Sequence, residues 1–138
     1  MANPPKFFSV TASGNLNTLV AGTITGGTAI KTYDVEPGTL SVLATVDAET
    51  ENITVTVLWQ VSTDNSTYYT MTPVNNAANV VIATGTSGAD AAVSKVFPAP
   101  DGVMGWPYVR AAVTNAVATG AAADTYSLTT KYVRRSNF

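Results

Sequence analysis

Histidine and cysteine are both absent from this sequence. Without them the commonest neutral-pH general base, the thiolate nucleophile and the usual zinc ligands are all missing. Ser-His and Cys-His catalytic systems are therefore excluded, and so is a disulfide framework. Charge is scarce as well, at 12% of residues against about 25% in an average soluble domain. The seven basic residues are scattered and the net charge is −2, so no basic stripe is available to neutralise phosphates, and nucleic-acid binding is not expected. No stretch approaches the ~18 apolar residues that a membrane helix needs, and no membrane partner is expected. The N-terminal Met1-Ala2-Asn3-Pro4-Pro5-Lys6 lacks a basic leader ahead of an apolar core, which leads us to expect a protein made and used without export.

What fills the space is 46% hydrophobic residues, together with threonine, alanine, serine and asparagine. A surface of this kind is solvated by hydroxyls and amides. Charged groups resist desolvation, whereas Thr, Ala and Tyr can be covered by a neighbouring subunit at modest cost. Composition alone allows two readings, a surface meant to be covered or the Thr-rich solvent face of an extracellular β-domain. A chain of 138 residues fits one domain that buries about two-thirds of its unfolded surface.

Val, Ile, Thr and Tyr recur with period two, and turn residues interrupt them at intervals, so the sequence predicts strands throughout and almost no helix. The clearest strand runs from Ile53 to Ser62. In it Ile53, Val55, Val57, Trp59 and Val61 share a core face, and Thr54, Thr56, Leu58, Gln60 and Ser62 share a mostly hydroxyl face. A loop of three to five residues around Thr63-Asp64-Asn65-Ser66-Thr67 then predicts a hairpin into Tyr68 to Thr72, closed by Pro73. Further strands are expected at Phe7 to Thr11, Leu19 to Thr25, Ala29 to Val35, Leu40 to Val46, Val80 to Ala83, Ala92 to Phe97, Tyr108 to Thr114 and Thr125 to Val133. Gly26-Gly27 reads as a tight hairpin with positive φ, and Pro37-Gly38 as the centre of a type II turn. The last two strands read as a hairpin across the Ala- and Gly-rich stretch Val117 to Asp124. Asp90 to Val93 and Ala121 to Ala123 are long enough for no more than a helical turn. Eight or nine short strands in one domain predict an all-β, antiparallel β-sandwich, jelly-roll-like, over residues 7–138, with an extended N-terminal arm at residues 1–6.

Carboxylates are what remains for chemistry. Asp47, Glu49 and Glu51 alternate ahead of the long strand and could offer oxygens to a hard cation, but the glycine and further ligands of a calcium loop are missing, and a solvated acidic turn is expected instead. Gly85-Thr86-Ser87-Gly88 is followed by Ala89-Asp90 rather than the Lys-Ser or Lys-Thr of a phosphate loop, and is expected to be a turn. Asn52-Ile53-Thr54 and Asn65-Ser66-Thr67 match the glycosylation pattern, a coincidence expected in a Thr-rich chain. No catalytic residue, metal or cofactor is expected, and the chain is not expected to be an enzyme.

The aromatic residues say more. Trp59 lies mid-strand and is expected in the core. Trp106 lies in Gly105-Trp106-Pro107-Tyr108, a loop whose rings must find cover from the same domain or from a partner. Adjacent Phe7 and Phe8 would point to opposite faces of a strand, leaving one ring free to dock elsewhere. Lys131, Arg134 and Arg135 form the one basic cluster, either a solvated tail or a salt bridge to an acidic neighbour. The candidate interface residues are thus Phe7, Phe8, Trp106, Tyr108, Arg134 and Arg135.

The stretch Val55-Thr56-Val57-Leu58-Trp59-Gln60-Val61-Ser62-Thr63-Asp64-Asn65-Ser66-Thr67-Tyr68-Tyr69 resembles a hairpin of tailed-bacteriophage structural proteins, in which a strand ends in a Ser-x-Asp turn followed by an aromatic. Tyr108 to Asn115, a small-residue loop and the strand Tyr126 to Val133 are similar to the closing strands of the same proteins. The resemblance covers under a third of the chain. Asn65 stands where those turns carry glycine, and it also tolerates left-handed geometry. The resemblance implies a capsid decoration (cement) protein, made in the host cytoplasm and placed on the capsid exterior. It further implies the major capsid protein as partner and assembly as a homo-oligomer, trimer or dimer. The alternatives are a glycan-binding adhesin module, with Trp106, Tyr68 or Tyr69 stacking on a sugar, and a tail-tube or connector subunit.

Overall fold

A computed structural model describes residues 7–19, 23–47, 54–71, 80–83, 92–100, 102–115 and 124–134. Ten strands are formed among them: β1 (Phe7–Asn15), β2 (Ile24–Gly26), β3 (Ile30–Lys31), β4 (Gly38–Asp47), β5 (Thr54–Ser62), β6 (Tyr69–Thr70), β7 (Val80–Ala83), β8 (Val93–Pro98), β9 (Tyr108–Asn115) and β10 (Thr125–Arg134). No α-helix occurs among the described residues; three short 3-10 turns at Leu16–Thr18, Thr32–Asp34 and Val103–Gly105 complete the elements.

The strands make two antiparallel sheets. One has the order β1-β10-β4-β8; the other has the order β2-β9-β5-β6, with β3 also beside β9 and β7 also beside β5. We call them the outer-first sheet, which begins with β1, and the second sheet. If β2 and β3 count as one interrupted strand and β6 and β7 as another, each sheet has four positions. The chain then changes sheet at every connection except the one from β5 to β6. Eight positions in two sheets with this alternation form a jelly roll, the architecture expected from the strand count.

The two sheets face each other across one core. Leu40, Val42, Ala44, Val46, Leu128 and Tyr132 come from the outer-first sheet, and Val55, Val57, Trp59, Val61, Val109, Ala111 and Val113 from the second. Period two explains this placement, because alternate residues of β4 and β10 go inward and the hydroxyls between them go outward. Each fully buried Val or Leu contributes roughly 1.5–3 kcal/mol relative to exposure. Trp59 is in the core at 3% exposure, as expected.

Several expectations are corrected. β9 and β10 do not form a hairpin: β9 pairs with β5 from Tyr108↔Ser62 to Asn115↔Val55, whereas β10 lies between β1 and β4. Alternation reports which face a residue takes, not which strand it pairs with, and sheets about 10 Å apart are within easy reach of the residues between the two strands. Of the strand expected over Leu19 to Thr25, residues 20–22 lie outside the described residues and Ile24–Gly26 form β2. Leu16 and Leu19 are both buried, at 0% and 4% exposure, and their spacing of three requires the 3-10 turn at Leu16–Thr18 rather than an extended chain. The strand expected over Ala29 to Val35 likewise ends at Lys31, where Thr32–Asp34 turn.

The glycines at the expected tight turns serve close approach instead. Among the described glycines only Gly102 has positive φ, so Gly26-Gly27 is not a hairpin turn and Pro37-Gly38 is not type II. A Cβ on Gly26 would lie 2.1 Å from Cζ of Arg110, and one on Gly38 would lie 2.4 Å from both the Tyr132 ring and the Val133 carbonyl oxygen. The expected arm at residues 1–6, Pro73, the Gly85–Gly88 loop, and the helical turns proposed at Asp90 to Val93 and Ala121 to Ala123 lie wholly or largely outside the described residues.

Candidate functional site

The β5–β6 hairpin is present, with Gln60↔Thr70 and Val61↔Tyr69 paired, although its connection, residues 63–68, is one residue longer than the expected maximum. Its turn is built from side-chain to backbone bonds. The Asp64 carboxylate accepts from the backbone N–H of Ser66 (2.9 Å) and Thr67 (2.8 Å) and from the Ser62 hydroxyl (3.0 Å). These donors, Thr67 first, hold the carboxyl below its usual pKa because each favours the charged form. Asn65 takes the left-handed conformation, φ 59°, as its residue type allows.

Part of the outward face of the second sheet is closed, while Ile24, beside Thr114 on the same face, stays 42% exposed. Leu58, Gln60, Ser62 and Ala112, all on that face, are buried, contrary to the hydroxyl face expected of β5. Arg110 accounts for the Gln60 part of the difference. Its Nε donates to Oε1 of Gln60 at 2.9 Å, and its guanidinium lies 3.6 Å from the centroid of the Tyr68 ring. The hairpin turn thus folds back and covers the sheet with a cation–π contact.

The outward face of the outer-first sheet is different. The register places Phe7, Val133 and Thr39 in one row; Ser9, Lys131, Ser41 and Pro98 in the next; Thr11, Thr129, Leu43 and Val96 in a third; and Ser13, Ser127, Thr45 and Ser94 in a fourth. Hydroxyls bond across strands, Thr11 Oγ1 to Thr129 Oγ1 at 3.0 Å and Thr45 Oγ1 to Ser94 Oγ at 2.8 Å. Phe7, Val96 and Val133 are exposed at 74%, 70% and 56%. Among the described residues of this face, Lys131 and Asp47 are the only charged ones.

The sequence-derived candidates separate on this frame. Phe7 and Phe8 do point to opposite faces: Phe7 is exposed, while Phe8 stacks on Tyr132, with centroids 5.0 Å apart at 29°. Trp106 is half-buried and packs against the core, so its ring is covered by its own domain. Tyr108 makes an edge contact with Tyr33, with hydroxyls 3.1 Å apart and ring centroids 5.8 Å apart at 88°. That hydrogen bond, followed by desolvation, pushes the Tyr33 hydroxyl up to about 12. Arg134 reaches Glu36 at 3.4 Å, the salt bridge expected as the sharper reading of the basic cluster. Arg135 lies outside the described residues, as do Glu49 and Glu51, the companions of Asp47.

Sequence reasoning missed the segment that ties these residues together, the connection Thr32–Pro37 between β3 and β4. The Thr32 hydroxyl donates to the Trp106 carbonyl, Tyr33 meets Tyr108, and the Glu36 carbonyl and carboxylate take the Tyr132 hydroxyl and Arg134 respectively. Beside it a cleft of about 200 Å³ opens between Pro37–Leu40 on one side and Ala99, Pro100 and Gly102 to Met104 on the other. The exposed Val96 and Val133 were missed as well. The signal was available for Val133, an aliphatic residue on the hydroxyl phase of β10, whereas in β8 the opposite phase carries Lys95 and the pattern does not mark Val96. Among the described residues, no group of three or more carboxylates, histidines or cysteines could hold a metal ion.

No protein-family model matches the chain, and no curated protein does. Among solved structures the chain is similar to one described as PRD1 vertex protein P5, at 13% sequence identity and a TM-score of 0.44, over 97% of this chain and 100% of that one.

Proposed function

We propose that the chain is a virion structural protein, and specifically a capsid decoration protein that lies on the capsid exterior, bridges subunits of the major capsid protein and carries out no chemistry of its own. The observation that carries this reading is the outward face of the outer-first sheet. It is an area of serine and threonine hydroxyls with Phe7, Leu43, Val96 and Val133 among them, and with little charge to desolvate. Hydroxyls already bonded to one another across strands lose little when water leaves, and the exposed aliphatic and aromatic groups gain from burial. A face of this kind favours contact with another protein surface over contact with an ion or a phosphate.

Repetition on a capsid strengthens a modest contact. A homo-oligomer engages several capsid subunits at once, and linkage makes the later contacts effectively intramolecular. The adhesin alternative would draw on Tyr69, which is 58% exposed, because Tyr68 is engaged by Arg110 and Trp106 by the core.

The test uses capsids of the encoding virus that lack this chain. Purified protein is expected to bind them and to raise their resistance to heat and osmotic shock. Failure to bind, or binding without any gain in particle stability, contradicts the reading. A thermal shift produced by simple sugars would favour the adhesin.

A further inference from the structure

Strand edges in this molecule are guarded unequally. On the outer-first sheet, the β8 edge is six residues long, carries Lys95 and ends at Pro98. On the second sheet, the strands flanking β9 and β5 are short: three residues for β2, two for β3, two for β6 and four for β7. Short length, lysine and proline are the usual protections against a foreign strand. β1 has none of them. It runs nine residues as Phe-Phe-Ser-Val-Thr-Ala-Ser-Gly-Asn, without charge or proline, and pairs with β10 at every residue without a bulge. Among the described residues no strand pairs with its other side.

We propose that β1 is a strand-addition edge and that its occupant is β1 of a second copy, antiparallel about a two-fold axis through Thr11. The sequence of the strand is complementary to itself about that residue. On the outward face the axis sets Thr11 against Thr11, Ser9 against Ser13 and Phe7 against Asn15, so no like charges meet. On the inward face it sets Val10 against Ala12 and Phe8 against Gly14, large against small in each case. Gly14 is already roofed by its own neighbour, since a Cβ there would lie 3.1 Å from the Tyr126 ring. The incoming Phe8 thus meets an aromatic wall where an alanine or larger residue would crowd it. Such an interface is isologous and closes at two copies. Because the axis stands perpendicular to the sheet, it joins two outward faces side by side as one continuous hydroxyl-rich surface, eight strands wide.

This deepens the homo-oligomer part of the proposed function and is tested without capsids, so the two fail separately. Sedimentation equilibrium of the full chain is expected to show a species of twice the 14.3 kDa chain mass. Thr11→Lys and Thr11→Glu each place like charges across the axis on an exposed position, and each is expected to weaken association at least ~tenfold, as like charges placed opposite one another oppose pairing. An equal mixture of the two variants is expected to recover it. Because the chain has no cysteine, Thr11→Cys is expected to form a covalent dimer under oxygen and a copper catalyst, while Ser94→Cys, far from the axis, does not. A chain that stays monomeric at all concentrations overturns the proposal. So does a dimer indifferent to both charged variants, or a mixture that recovers nothing. If the charged variants unfold, the cysteine pair decides: equal cross-linking from positions 11 and 94 contradicts the proposal.

Discussion

The two outward faces of this sandwich obey the same alternation rule and reach opposite ends. On the second sheet, Arg110 joins Gln60 to the Tyr68 ring over the strands, and Leu58 and Ala112 on the same face are buried. On the outer-first sheet nothing among the described residues lies over the strands, and Phe7, Val96 and Val133 remain exposed. Part of one face is packed within the chain, with Ile24 still exposed; the other stays open among the described residues. The difference teaches that a hydroxyl phase in a strand does not by itself announce a solvent face. What decides is whether a long side chain and a returning loop are at hand to cover it.

The contrast is sharpest at Arg110. Arg110→Ala removes a cation–π contact and leaves the buried Gln60 amide oxygen without its donor. A loss of about 2 kcal/mol is expected, measured by urea unfolding. Next in size, Gly26→Ala places a methyl where the guanidinium lies and is expected to cost about 1 kcal/mol. The collision is with a movable side chain, so in an Arg110→Ala background the same substitution is expected to cost only a few tenths. Additive losses would show that Gly26 acts through the backbone instead. On the other face, Val96→Ser and Val133→Ser are expected to change stability by no more than about 0.5 kcal/mol, while capsid retention falls at least ~tenfold, or about 1.4 kcal/mol. A large stability loss there would erase the contrast.

Two titrations probe smaller effects at the margin of the closed face. The lowered Asp64 pKa means that its contribution to stability is present above the ordinary carboxyl value of 3.8 and is lost as pH falls through the depressed folded value. Asp64→Asn is expected to flatten the fall in melting temperature in that acid range. Tyr33 behaves in the opposite sense: its raised pKa favours the neutral hydroxyl, so its contribution holds below pH 10 and is lost as pH climbs from 10 to about 12. Ultraviolet titration is expected to show Tyr33 ionising late, together with Tyr68, Tyr126 and Tyr132, which desolvation also raises, and Tyr108→Phe is expected to bring Tyr33 back toward 10.

The strands and the core were legible because apolar residues recur at alternate positions of β4, β5 and β10, which shows the face that most of them take. Partnership was not legible. Nothing local in Tyr108 to Asn115 distinguishes pairing with β5 from pairing with β10, and the jelly-roll crossover between sheets is set by tertiary packing. Gly26 and Gly38 were misread as turn formers because the atoms that exclude a side chain there, on Arg110 and on Tyr132 and Val133, are distant in sequence. Of the interface candidates, the exposure of Phe7 was legible in the Phe7-Phe8 pair, and the ion pair of Arg134 in the basic cluster. Val133 could have been identified as an aliphatic residue out of phase, whereas Val96 could not, because Lys95 takes the inward phase of β8. Tyr33 and Glu36 carried no local signal, since their importance lies in what the Thr32–Pro37 connection touches.

Electron microscopy of the native particle tests the central claim most directly. Density for this chain is expected on the capsid exterior, with the hydroxyl-rich face bearing Phe7, Val96 and Val133 turned onto the major capsid subunits and the Arg110–Tyr68 face turned to solvent. A particle with no copy of the chain, or one in which the Arg110–Tyr68 face makes the contact and Val96 faces water, would contradict it.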